Sequence, residues 1–195
     1  MTMNTLHMSF MELSDIQEAA TVLSHAMLNN PLHIAVFQGR GEKQRLEIEG
    51  MFVELFTERP GIVFLAKDGE KIVGVMRMNS CVGRKAKDVS NEPKDESDTH
   101  VRKSIWLREW ASRDPEEQHW HLGPIGVLPA YRKMGIGSRL LERFCAEVDH
   151  CSAKAYLETD RNENVRFYGK FGFNVIANSD IFGVNNRYMV RESQR

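Results

Sequence analysis

Cysteine is the first shortage in this 195-residue sequence. Only Cys81, Cys145 and Cys151 are present, and no two of them stand at zinc-ligand spacing. An odd, scattered set excludes a disulfide framework, implies no metal, and fits a reducing, cytoplasmic setting. Long apolar runs are missing as well, so no membrane span is expected. Glu12, Asp15 and Glu18 fall where a signal peptide would be apolar. Charge of one sign is also lacking. With 26 basic and 27 acidic residues the net charge is −1, which gives no field for general nucleic-acid binding. No internal repeat divides the chain, and its length suits one domain, residues 1–195, with a sizeable core.

What is present is a turn built for an anion. Arg132-Lys133-Met134-Gly135-Ile136-Gly137-Ser138 lies between an apolar strand-like run and an amphipathic helix. Such a turn aims backbone N–H groups at one spot, and the opening of the helix adds its positive dipole end, as a phosphate or pyrophosphate requires. Gly135 and Gly137 leave the backbone open to close approach. Arg132, Lys133 and Arg139 supply cations, although Arg139 also reads as an exposed helix residue. Two familiar phosphate-binding patterns are not met. A Walker loop needs lysine and a hydroxyl after its last glycine, where Ser138 and Arg139 stand, and a dinucleotide fingerprint needs a third glycine, where Leu140 stands.

Upstream, Leu122-Gly123-Pro124-Ile125-Gly126-Val127-Leu128-Pro129 reads as a buried strand stopped by proline. Downstream, Ile136, Leu140, Leu141, Phe144 and Val148 keep helical spacing. A second unit follows, with a strand over 155–159, a polar turn, and a short helix containing Asn164-Val165-Arg166-Phe167-Tyr168-Gly169-Lys170-Phe171-Gly172-Phe173.

These two motifs, R-x-x-G-x-G after the L-G-P-I-G-V strand and N-x-x-F-Y-x-K-F-G-F about thirty residues later, resemble those of the GNAT family of N-acetyltransferases. The resemblance covers about residues 120–175. It implies a three-layer α/β fold, a central mixed and mostly antiparallel sheet with strands four and five splayed, and helices on both faces. It implies acetyl-CoA as acetyl donor, no metal, and direct attack by a primary amine without a covalent enzyme intermediate. The glycine turn would hold the pyrophosphate. Ile125, Gly126 and Val127 would pair with the pantetheine arm, one backbone N–H there would stabilise the developing oxyanion, and Tyr168 would stand near the sulfur. Asn162 and Asn164 match polar residues that contact the cofactor arm, and either could equally cap the helix.

A phenol with a pKa near 10 can hold its proton at neutral pH and release it to a departing thiolate, so Tyr168 is the expected acid. For the base, His119 and His121 alternate onto one strand face, with Glu158 and Glu117 as rivals. His121 matches one strand histidine of the arylalkylamine acetyltransferases, whereas Gly123 stands where their second would be. The acceptor is expected to be a small-molecule amine rather than a protein, and a homodimer is left open. The alternative is a non-catalytic CoA-binding regulatory module.

The rest of the chain reads as a strand over 6–13, then a helix capped by Ser14 or Asp15 and broken at Asn29-Asn30-Pro31. A helix over 42–57 stops at Pro60-Gly61, and strands over 62–66 and 72–78 flank the turn at Lys67-Asp68-Gly69-Glu70. An insert at about 81–118 separates strands three and four. Its charged stretch 84–103 is expected to be a mobile loop, with Asp95, Glu96 and Asp98 as solvated surface. Residues 105–110 read as helical, with Trp106 and Trp110 on one face, either packing on the body or forming a lid over the acceptor.

Overall fold

A computed structural model describes residues 6–59, 61–84 and 97–194. Pro60, Asp95 and Glu96, named above as a helix stop and as surface charges, lie outside the described residues, as does most of the expected mobile loop.

Seven strands form one sheet: β1 (Leu6–Phe10), β2 (Ile62–Asp68), β3 (Lys71–Cys81), β4 (His119–Val127), β5 (Lys154–Thr159), β6 (Asn174–Ile181) and β7 (Val184–Arg191), in the order β1-β2-β3-β4-β5-β7-β6. Every pairing is antiparallel except β4 with β5. One face is covered by α5 (Ile136–His150) and α6 (Asn162–Gly169), whose Leu140, Leu141, Phe144 and Tyr168 pack against Met76, Leu122 and Leu157. The other is covered by α1 (Ile16–Met27), α2 (Pro31–Phe37), α3 (Glu42–Glu58) and α4 (Thr99–Arg113), with Leu23, Val36, Ile48 and Trp106 against Leu65 and Val75. This is the three-layer α/β arrangement expected from the motifs.

The feature that positions the site is the end of the β4–β5 seam. The parallel ladder joins only His119, Trp120 and His121 to Lys154, Ala155 and Tyr156. Beyond it β4 stays with β3 as far as Val127, while β5 stays with β7 as far as Thr159, so the two strands part. A bulge helps to turn β4 aside: Met76 and Met78 face Ile125 and Leu122, so β4 uses one residue more than β3 across Gly123–Pro124. Proline fits there because it has no N–H to leave unpaired. Past the bulge, Gly126 lets α1 lie close on the strand, since a Cβ would come within 2.8 Å of the Ala26 Cβ.

Two local expectations change. Pro31 does not simply end a helix but opens α2, with Asn30 as the N-cap accepting from the His33 N–H at 3.1 Å. Proline is suited to the first helical position, which needs no donor. Asp98 is not free surface charge either, because it caps α4 by accepting from the His100 N–H at 2.7 Å. Residues 99–103, expected in a loop, are therefore helical.

His33 is buried in α2, with its ring 5.2 Å from that of Trp106. Burial alone pushes its pKa down to about 4. The unfolded chain binds this proton near pH 6.5 and the folded one does not, so stability present above pH 6.5 is lost as pH falls towards 4. The loss is about 3 kcal/mol by pH 4. The destabilisation caused by His33→Gln, measured by urea unfolding, is therefore expected to shrink by about that amount between pH 7 and pH 4.

Candidate active site

Backbone direction in β4 separates the three residues expected at the pantetheine arm. The Leu128 N–H bonds to the Val73 carbonyl of β3. Because direction alternates along a strand, Val127 and Ile125 turn their N–H and C=O groups into the gap. Gly126 points its own at β3, and its role is the close approach of α1.

The glycine turn leads into α5. Lys133 and Gly135 both have positive φ, 64° and 80°, and Gly135 is the N-cap without any side-chain cap. The first backbone bond of the helix is Arg139 N–H to the Gly135 carbonyl, so the N–H groups of Ile136, Gly137 and Ser138 precede the ladder and remain open to an anion. Lys133, Met134 and Arg139 are exposed. Arg132 is engaged elsewhere, donating from Nη2 to the Ala26 carbonyl at 2.9 Å.

These residues fit a CoA pyrophosphate, because nothing but an open surface requires glycine at 137. A Cβ there would find no atom closer than 3.9 Å. Gly137→Val should therefore leave the fold cooperative and weaken CoA binding, measured by calorimetry, by about 10- to 100-fold, the worth of one or two charge-assisted contacts. Gly135 is a less clean test, since its φ would strain any side chain.

Asn162 and Asn164 lie in the first turn of α6, but neither is its N-cap, which is Arg161. The capping alternative therefore falls for both. The Asn162 Oδ1 accepts from Arg187 Nη2, whereas Asn164 is half-buried with no side-chain hydrogen bond among the described residues. Asp160, between β5 and α6, accepts from Asn30 Nδ2 at 2.8 Å and from the Leu32 N–H at 2.7 Å. It thereby fastens the start of α2 beside the end of β5.

The residues expected to handle protons sit around the seam. Tyr168 is buried, with its ring 5.4 Å from Phe167 and 6.1 Å from Phe173. Its hydroxyl has no hydrogen-bond partner among the described residues, yet it is not fully enclosed. Burial, followed by the charges of Asp160 and Glu158, pushes its pKa well above the ordinary phenol value. Tyr168 therefore holds its proton more firmly than a free phenol would.

His121 and Glu158, set out above as rivals, form a pair instead. The His121 Nε2–H donates to Glu158 Oε2 at 2.7 Å, and the carboxylate is almost wholly buried. A carboxylate only accepts, so Nε2 carries hydrogen and the lone pair of the neutral ring is on Nδ1. Burial pulls the His121 pKa down, while the charge and hydrogen bond of Glu158, aided by Asp114, outweigh it and raise the pKa overall. His119 shares the face but is fully buried, its Nδ1–H given to the Glu117 carbonyl at 2.9 Å. Glu117 itself projects to solvent and is ion-paired with Lys154, which removes it as a base.

Helix α4 settles over this face. Trp106 is buried against α2, so for that residue packing on the body is the correct reading. Trp110 stacks edge-on against Trp106 at 5.0 Å and reaches Asn186 of β7, while Arg113 lies over Tyr188. Sequence reasoning missed two residues here, Tyr156 and Asp114. Tyr156 shares a face with Glu158 by simple alternation; Asp114 precedes Pro115 at the end of α4, where the proline was a usable stop signal for the helix.

With this geometry in view, the family model for the acetyltransferase (GNAT) family matches residues 28–173. The chain belongs to the GNAT family and is an acyltransferase, and acetyl-CoA is the family's cosubstrate. Solved structures similar to it include a histone acetyltransferase HPA2 and related acetyltransferase from Corynebacterium glutamicum. That match has 18% identity and a TM-score of 0.70, covering 98% of both chains. A GNAT acetyltransferase from Brucella melitensis in complex with acetyl-CoA matches at 16% identity and TM-score 0.57, over 97% of this chain and 88% of that one. A mosquito arylalkylamine N-acetyltransferase like 5b matches at 16% identity and TM-score 0.61, over 96% and 100%. No helix among the described residues is long and apolar enough to cross a membrane.

Proposed function

We propose that this enzyme transfers the acetyl group of acetyl-CoA to the primary amine of a small molecule by direct attack. The observation that carries the reading is the His121–Glu158 pair at the point where β4 and β5 part, with Tyr168 supplied from the opposite face of the sheet. Ile136, Gly137 and Ser138 bind the pyrophosphate through their N–H groups, with Lys133 as the neighbouring cation. Ile125 and Val127 turn their backbone to the pantetheine arm, and an N–H of this pair stabilises the oxyanion. Acetyl-CoA, when bound, supplies the thioester carbonyl that the amine attacks.

Neutral His121 accepts the ammonium proton at Nδ1, directly or through water, and Glu158 stabilises the resulting imidazolium. A C–N bond forms, the C–S bond breaks, the Tyr168 hydroxyl protonates the departing thiolate, and the second nitrogen proton, released as the amide forms, returns through solvent to the Tyr168 phenolate. A small acceptor is favoured because α4 and the β6–β7 turn occupy the acceptor side. Arg102 stacks on Phe182 of that turn at 3.7 Å and donates to the Ala35 carbonyl. An extended polypeptide has little room to lie across such a roof.

The test is release of free CoA from acetyl-CoA with a panel of alkylamines, arylalkylamines, polyamines, aminoglycosides and peptides. Turnover with a small amine and not with peptides is expected. Turnover with peptides alone would overturn the acceptor class, and CoA binding without release in any arm would favour a binding module.

A further inference from the structure

The ladder between β4 and β5 ends at His121 and Tyr156, so the gap beyond is held at a set width by whatever crosses it. On one face α5 lies against both strands. On the other the crossing is made by residues 26–32, from the end of α1 to the start of α2, and this segment is fastened on each side of the gap. On the β4 side α1 rests on Gly126, where a Cβ would come within 2.9 Å of Leu23 Cδ2, and the Ala26 carbonyl accepts from Arg132 of the glycine turn at 2.9 Å. On the β5 side Asn30 Nδ2 and the Leu32 N–H both donate to Asp160, at 2.8 and 2.7 Å, and the Asn29 carbonyl accepts from Arg161 Nη2 at 3.1 Å. Asp160 follows directly on β5, and Arg187 of β7 fixes its backbone by donating to its carbonyl at 3.0 Å.

Each polar atom of this brace has one assigned role. Asn30 Oδ1 accepts from the His33 N–H at 3.1 Å and from His33 Nδ1–H at 3.0 Å, so the amide cannot flip, and its Nδ2 must face Asp160. Asp160 meets two donors, one on each oxygen, and only a carboxylate accepts at both. The chemistry of the brace therefore specifies a single arrangement. A cofactor arm that pairs with β4 as an added strand needs one ladder spacing of about 4.8 Å on either side, or a gap of about 10 Å in all. A frame already held at that width spares binding the cost of ordering two loose strands.

We propose that Asp160 is a positioning residue for the cosubstrate: through Asn30 and Leu32 it braces the two sides of the β4–β5 gap and fixes the width in which the pantetheine arm of CoA lies. It touches no reacting atom and acts through the backbone of Ile125 and Val127, whose separation from β5 it sets. This rests on the reading above that places the arm in the gap. The pyrophosphate sits elsewhere, on the N–H groups that open α5. CoA thus divides into a half that senses Asp160 and a half that does not.

The test measures, by calorimetry, the Kd of CoA and of 3′-phosphoadenosine 5′-diphosphate, which is CoA cut off after its pyrophosphate. Asp160→Asn turns an amide N–H towards a donor, and Asn30→Asp sets two carboxylates against each other. Each should weaken CoA by about tenfold while the truncated ligand moves less than about twofold. The double variant exchanges donor and acceptor, satisfies every bond of the brace again, and should return CoA to within about threefold of the native value. CoA affinity unchanged in the single variants overturns the proposal, as does equal weakening of both ligands or a double variant no better than the singles. If neither single variant folds, Arg161→Gln, which removes only the outer bond to Asn29, decides: a loss of about threefold for CoA alone is expected, and no loss overturns the proposal. A native enzyme that binds CoA no more tightly than the truncated ligand instead removes the arm from the gap, a failure of the underlying reading that is visible without any variant.

Discussion

Tyr168→Phe is expected to lower kcat by about 10²- to 10⁴-fold, or roughly 3 to 5 kcal/mol of barrier, with little change in acetyl-CoA affinity. The ring keeps its contacts with Phe167 and Phe173, so the fold is not at risk, and the only loss is a hydroxyl that no other side chain among the described residues engages. The raised pKa of this phenol sharpens the expectation. A group that holds its proton firmly is fully protonated at every working pH and releases it only once negative charge has built up on sulfur. Proton transfer should then be late, and a solvent isotope effect on kcat should be present in the native enzyme and lost in the variant. A fall below about threefold with chemistry rate-limiting would assign the proton to water and remove Tyr168 from the mechanism.

His121→Gln is expected to cost kcat/KM about 10²-fold or more and to abolish the acidic limb of its pH profile. Only the neutral ring can accept a proton. Its pKa is pushed above the ordinary histidine value of about 6.5, because Glu158 and Asp114 outweigh burial and the opposing charge of Arg77. Activity should therefore rise with pH through a limb lying above pH 6.5. Glu158→Gln makes the complementary case: the hydrogen-bonding shape survives while the charge goes, so the limb should move to lower pH even as the maximal rate falls. A limb unmoved by either substitution would mean that the amine loses its proton to solvent.

How much of this was legible depended on whether the signal was local. Gly135, Gly137 and the periodic apolar face of α5 lie within one short stretch, and together they announced the anion turn. Tyr168 was legible for the same reason, since its neighbours Phe167 and Phe173 pack within the same helix and turn. His121 could be placed on a face by alternation, but its partner could not. Glu158 meets it across a parallel seam whose strands are joined by a whole helical crossover, and no spacing in the chain encodes that register. Asp114 was lost for a related reason. Its charge acts on His121 only because α4 folds back over the sheet from an insert whose charged approach reads as loop. The missed helix α2 is a different kind of failure, because Asn30-Pro31 was a usable start signal read as a stop.

The short β4–β5 ladder has a consequence for how the enzyme comes into being. The hairpins β2–β3 and β6–β7 close between neighbours in sequence, whereas the seam from His119 to His121 joins segments separated by all of α5, and such non-local pairing is the slow kind. The glycine turn leaves the ribosome before Glu158 and Tyr168, which follow it in the sequence. A nascent molecule thus carries the turn before either residue exists, and His121 acquires its partner only when β5 docks beside β4.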